Sequence, residues 1–199
     1  MTLVEERNAS GAMAQARRAM IDSQLRVSGV NDPAVLAAFD SVAREDFVPP
    51  ARAAVAYVDR AVPLADGAVL APALSHGQML TAAQVQARDR VLVVGKPGDY
   101  LAALVRAMGA SVVTAAAGST DFAEPHYSLI LVDGAIEALP SAFGAALVDD
   151  GRIVTGLLER GVTRLALGRK VGGEIVLTSL AEADFALLPE YAEPAKWSF

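Results

Sequence analysis

The chain predicts an α/β fold: a mostly parallel sheet closed by an antiparallel hairpin, behind an N-terminal helical cap. Three observations predict it. An apolar run, Val91-Leu92-Val93-Val94, enters the Gly-containing turn Gly95-Lys96-Pro97-Gly98-Asp99 and then a helical segment from Tyr100. Strand and helix patterns alternate from there to Gly156. Finally, the β-rich runs 162–167 and 174–178 flank Gly172-Gly173, the signature of a hairpin.

Taken in order, residues 12–27 carry Met13, Ala16, Met20 and Leu25 at helical spacing and stop near Gly29. A second helix starts at Asn31-Asp32-Pro33. Asp32 suits the cap and Pro33 the first helical position, where a missing N–H costs nothing. Val35, Leu36, Phe39 and Val42 form its buried face, and Phe47-Val48-Pro49-Pro50 ends it. Residues 57–80 are rich in Ala, Pro and Gly, punctuated by Asp59-Arg60, Asp66-Gly67 and Ser75-His76-Gly77, and read as a covering loop region. Then come a strand at 90–94, a helix at 100–108, strands at 111–115 and 127–132, a helix at 138–147 and a strand at 151–156. The expected division is a cap with covering loops over 1–85 and an α/β domain over 86–199, packed as one unit.

Composition narrows the function. A chain of 199 residues, 53% apolar and 20% charged, is globular. A net charge of −6 and a pI near 4.9 argue against a nucleic-acid partner, and Arg17-Arg18 reads as a solvated helix face. The absence of cysteine excludes disulfides, thiolate catalysis and Cys-ligated metals, and two histidines leave little for another metal site. No apolar stretch reaches a membrane span and the N-terminus does not read as a signal peptide, so a cytoplasmic location is expected.

The turn after Val94 places a ligand site at the carboxyl end of the sheet, where open α/β sheets bind ligands. Its composition argues against a dinucleotide or ATP: Pro97 removes an N–H donor and Asp99 sets a negative charge at the helix start. Asp99 reads as an N-cap or a ligand contact, and Lys96 as an exposed loop lysine or an anion contact. Ser75-His76 with Asp59 or Asp66 has the residue types of a nucleophile, base and orienter, but no motif supports that geometry over ordinary loop polarity. His126, at a strand start, reads as a surface or edge residue. Asp133, ahead of Gly134 at a strand's carboxyl end, is the acidic candidate in the cleft, with a turn residue as the alternative.

Several segments resemble one family: Met20-Ile21-Asp22-Ser23-Gln24-Leu25, residues 29–36, Val42-Ala43-Arg44-Glu45-Asp46-Phe47-Val48-Pro49, Ala56-Tyr57-Val58-Asp59, residues 91–100 and residues 134–140. The chain resembles the protein-L-isoaspartate O-methyltransferases from about Ala14 onward, and the run over 44–49 is the most specific match. The resemblance implies a class I methyltransferase-like, Rossmann-like fold. It also implies methyl transfer from S-adenosylmethionine to the isoaspartyl carboxyl of a damaged protein or peptide. Cofactor contacts then fall on Gly95, Gly98 and Tyr100 of the turn, with Asp133, read above from its place in the cleft, beside them.

The chain departs from the family's pattern at its functional positions. The active-site serine aligns on Ala71, whose methyl has no hydrogen bond to offer a carboxylate. Val93, Pro97 and Asp99 replace an acidic and two small residues of the cofactor turn, and Ala116 stands where an acidic residue grips the ribose. Only residues 117–126 separate two strands that a parallel crossover must join, so one βα unit is expected to be missing. These departures predict impaired or lost methyl transfer, with no catalytic residue assigned. The alternative is a non-catalytic pseudoenzyme that binds a ligand or a protein, and the shortened sheet edge suits pairing into a homodimer.

Overall fold

The computed structural model describes residues 3–64, 67–95, 100–122 and 126–193. Helix α1 (Leu3–Met20) continues through a π turn at Ile21–Leu25 and a 3-10 turn at Arg26–Ser28. It stops at Gly29, whose φ of +88° is open to a residue without a Cβ. Helix α2 (Pro33–Ser41) starts as expected. The Asp32 side chain accepts from the amides of Ala34 at 2.8 Å and Val35 at 3.2 Å, and Val35, Leu36 and Phe39 are buried.

The segment 44–49 locks this cap to the body of the protein. Arg44 is fully buried in a 3-10 turn; its guanidinium donates to the carbonyls of Ala56 at 2.7 Å and Ala71 at 2.6 Å and lies over the Tyr100 ring. The Tyr57 hydroxyl accepts from Arg17 and from the Arg44 amide and donates to Glu45.

Residues 57–80, expected as a covering loop, are more ordered than their composition suggests. Strands β1 (Val62–Pro63) and β2 (Val69–Leu70) pair as a short hairpin, and α3 (Ala73–Ala83) is an eleven-residue helix. Ser75, His76 and Gly77, which locally resemble turn punctuation, are buried in α3. The glycine is there because α3 crosses the cap closely: a Cβ on Gly77 would meet Leu25 and Val30 at 3.2 Å. Tertiary packing has overridden the local turn signal.

The remaining elements keep the expected alternation: β3 (Arg90–Gly95), α4 (Tyr100–Ala107), β4 (Ser111–Ala116), β5 (Tyr127–Ile136), α5 (Ser141–Ala146), β6 (Leu147–Glu159), β7 (Val162–Val171) and β8 (Glu174–Glu182). The sheet order is β4-β3-β5-β6-β7-β8; the first four strands are parallel, and β7 and β8 return antiparallel. Burial alternates along the strands with the two-residue pleat. Val91, Val93, Leu129 and Leu131 face α3, α4 and the cap in one continuous core, whereas Leu92, Val94, Ile130 and Val132 face Phe143 of α5.

Strand β4 is one edge of the sheet, and among the described residues the β4–β5 connection contains no helix. Its Phe122 packs on Phe143, which also meets Tyr191 from the C-terminal segment. Two aromatic rings thus cover sheet surface that a helix would otherwise shield. No helix among the described residues is long and apolar enough to cross a membrane.

Candidate active site

The carboxyl ends of β3, β4 and β5 open into one cavity of about 510 Å³, a size usual for a small-molecule site. Gly95 and Ala116 stand at the ends of β3 and β4, and Asp133 stands three residues before the end of β5. Residues 67–71 close one side and residues 185–190 close another.

Asp133 reaches the cavity through an irregularity in β5. Its register against β6 shifts between Leu131 and Ala135, so the residue belongs to a bulged strand and not to a turn. Its carboxylate, 12% exposed, lies 2.7 Å from Nε2 of His76, which is 0% exposed. His76 packs beside the rings of Tyr100 and Phe185, and its Nδ1 has no partner among the described residues.

A buried guanidinium, that of Arg44, acts on this pair electrostatically. Burial pulls the Arg44 guanidinium below its ordinary pKa, and the fields of Tyr100, Asp133 and Tyr57 oppose that shift. Burial likewise pushes the Tyr100 phenol well above its ordinary value, keeping it protonated. Asp133 is thus held by His76 on one side and lines the cavity on the other.

The C-terminal segment runs across the end of β5 as a strap. The Ala135 amide donates to the Ala186 carbonyl at 2.8 Å, and the Leu188 amide returns a bond to the Ala135 carbonyl at 2.9 Å. Leu188 lies directly over Gly134, where a Cβ would approach its Cγ to 2.5 Å. Beyond a 3-10 turn at Pro189–Tyr191, the Tyr191 hydroxyl accepts from the Gly118 amide at 3.0 Å.

Of the residues expected from sequence, Gly95 and Asp133 come together on the cavity. Tyr100 does not line it; it is 0% exposed in the core, with its hydroxyl unpartnered among the described residues. Gly98, Lys96, Pro97, Asp99 and Asp66 lie outside the described residues. The imagined Ser75-His76 set does not form: Ser75 Oγ donates to the Asp184 carbonyl, Asp59 is exposed, and the carboxylate that meets His76 is Asp133. His126 is exposed at the start of β5. Ala71 and Ala116 both face the cavity, so the two departures noted in sequence are departures at the site itself. Sequence reading missed the His76–Asp133 contact because the partners are 57 residues apart, and missed the strap because nothing local marks a segment as a lid.

Comparison with known proteins gives a consistent answer. Residues 15–116 match the model of the protein-L-isoaspartate(D-aspartate) O-methyltransferase family. A protein-L-isoaspartate O-methyltransferase of Koribacter versatilis (strain Ellin345) is 30% identical over 199 aligned residues, covering 86% of this chain and 90% of the relative. One from Methylorubrum extorquens (strain PA1) is 33% identical, covering 71% of this chain and 73% of the relative. A Plasmodium falciparum protein described as a protein-L-isoaspartate O-methyltransferase, solved in complex with S-adenosyl-L-homocysteine, superposes with a TM-score of 0.71 at 15% identity. That superposition covers 89% of this chain and 98% of the other. A second solved protein-L-isoaspartate O-methyltransferase gives a TM-score of 0.72 at 16% identity, over 88% of this chain and 67% of the other. The architecture is thus that of a class I methyltransferase. By its sequence, the chain belongs to the protein-L-isoaspartate (D-aspartate) O-methyltransferase family.

Proposed function

We propose that this protein binds S-adenosylmethionine in the cavity over Gly95 and transfers its methyl group to a carboxyl acceptor of the isoaspartyl class, at a rate limited by the missing serine. The observation that carries the reading is the cavity itself, lined by Gly95, Ala116 and Asp133 among the described residues. Its residues fit the cofactor. The small side chains of Gly95, Ala116 and Ala117 leave space for a nucleoside, and the Asp133 carboxylate suits the cofactor's cationic methionine moiety.

When bound, the cofactor would supply an electrophilic methyl on sulfur. The protein's part is placement. Gly95 admits the ligand close to the backbone, His76 fixes Asp133, and the strap over β5 excludes water from one side. A carboxylate nucleophile needs no proton removed, so transfer depends on alignment more than on a base. Ala71 offers no hydrogen bond to hold the acceptor, which lowers the rate without removing the chemistry.

The test is transfer of a labelled methyl group from S-adenosylmethionine to an isoaspartyl peptide, with the matching aspartyl peptide as control. Slow incorporation confined to the isoaspartyl peptide supports the reading. No incorporation by folded protein contradicts it and favours a non-catalytic binding role.

A further inference from the structure

We propose that Glu190, carried on the C-terminal strap, is the carboxylate that grips the cofactor's ribose, in place of the acidic residue that the end of β4 lacks. The inference rests on the cofactor reading above and adds a residue that the family's motifs do not assign.

A ribose diol presents two adjacent O–H donors, and nucleotide folds meet them with a carboxylate at the carboxyl end of the strand beside the glycine turn. Here that strand is β4, paired with β3 from Ser111 to Ala116; it ends in Ala115-Ala116 and is followed by Ala117. Three methyl groups accept nothing, so a diol docked there would lose its hydrogen bonds to water without replacement.

The strap supplies an acceptor at that point. The Cβ and Cγ of Glu190 pack over Gly118, 3.3 and 3.1 Å from where a Gly118 Cβ would lie. Gly118 has φ +78°, so glycine both fits the turn and lets the glutamate stem approach. Tyr191 pins the arrangement through its hydroxyl on the Gly118 amide and through its carbonyl, which accepts from the Glu137 amide at 3.1 Å. Glu190 then lines the same cavity as Gly95, Ala116 and Asp133, and among the described residues its carboxylate makes no hydrogen bond or ion pair. An exposed glutamate on a pinned backbone, lining the cavity beside the end of β4, meets the requirement of the diol.

Calorimetric titration tests this with wild type, Glu190→Gln and, as a surface control, Glu182→Gln on β8. The ligands are S-adenosylhomocysteine and its 2′-deoxyribose analogue. Wild type and Glu182→Gln are expected to bind the ribose form about tenfold more tightly than the deoxy form. Glu190→Gln should lose about tenfold in affinity for the ribose form and the discrimination with it. If Glu190→Gln keeps both, the assignment is overturned while the cofactor reading stands. If wild type binds neither ligand, both fall together.

Discussion

Replacing Asp133 by alanine should destabilise the protein through a partner it leaves behind. His76 is 0% exposed and already has Nδ1 without a described partner, so Asp133→Ala orphans the second ring nitrogen as well. An orphaned buried polar group costs about 1–3 kcal/mol, and the same change withdraws the anion whose field helps to hold Arg44 charged. His76→Leu alone should cost less, about 1 kcal/mol, because Asp133 at 12% exposure can turn to water in the cavity. With both replaced, no ring nitrogen remains to be orphaned. The double variant should then be no less stable than Asp133→Ala, giving a favourable coupling of about 1 kcal/mol or more. Urea unfolding of the four proteins at neutral pH, with slopes compared so that only midpoints differ, measures it. Additive effects within about 0.4 kcal/mol would refute the pairing.

Other consequences are equally specific. Ala71→Ser adds a donor on the cavity wall; if carboxylate placement limits the rate, methylation of an isoaspartyl peptide should rise about tenfold, and an unchanged kcat/KM would count against it. Gly134→Ala drives a methyl against Leu188 and should loosen the strap, read as faster amide exchange at Ala135 and Leu188 with the sheet core still protected. At the opposite end of the sheet, burial raises the Asp89 pKa, but bonds from Arg152, the Gln86 amide and Ser128 outweigh it and hold the carboxyl below its ordinary value. Its contribution is therefore present above the unfolded carboxyl pKa and lost as pH falls through the folded one. Asp89→Asn should cost about 2–4 kcal/mol at pH 7 and flatten the fall in stability below about pH 4. Tyr57 and Tyr100 have raised pKa values through burial, so their contribution is full below about pH 10 and lost as pH rises. Phenolate absorbance should accordingly appear together with alkaline unfolding, and smooth ionisation of every tyrosine in the folded protein would contradict the burial.

The elements whose signals are local were legible in the sequence. The Asp32 cap, the strands at 90–94 and 111–115 and the hairpin at Gly172-Gly173 all declare themselves within a few residues, through capping chemistry, two-residue alternation and turn glycines. The helix at 73–83 was not legible, because its polar and glycine residues are there for contacts with Leu25, Val30, Asp133 and the Asp184 carbonyl. The site divides in the same way. Gly95 owes its legibility to its place at a strand end, Asp133 to following the apolar run 127–132, and Ala71 and Ala116 to alignment with a family pattern. Arg44, His76, Leu188 and Glu190 owe their positions to pairings distant in sequence, 12 residues for Arg44 with Ala56 and 57 for His76 with Asp133, or to a strap that no local pattern marks.

Both functional proposals require the cavity over Gly95 to be a cofactor site, and isothermal titration with S-adenosylhomocysteine decides whether it is. Saturable one-to-one binding in the micromolar range, weakened by Glu190→Gln, is the predicted result. No heat at millimolar ligand, from protein whose far-UV spectrum shows it folded, would mean that the cavity is not a cofactor site.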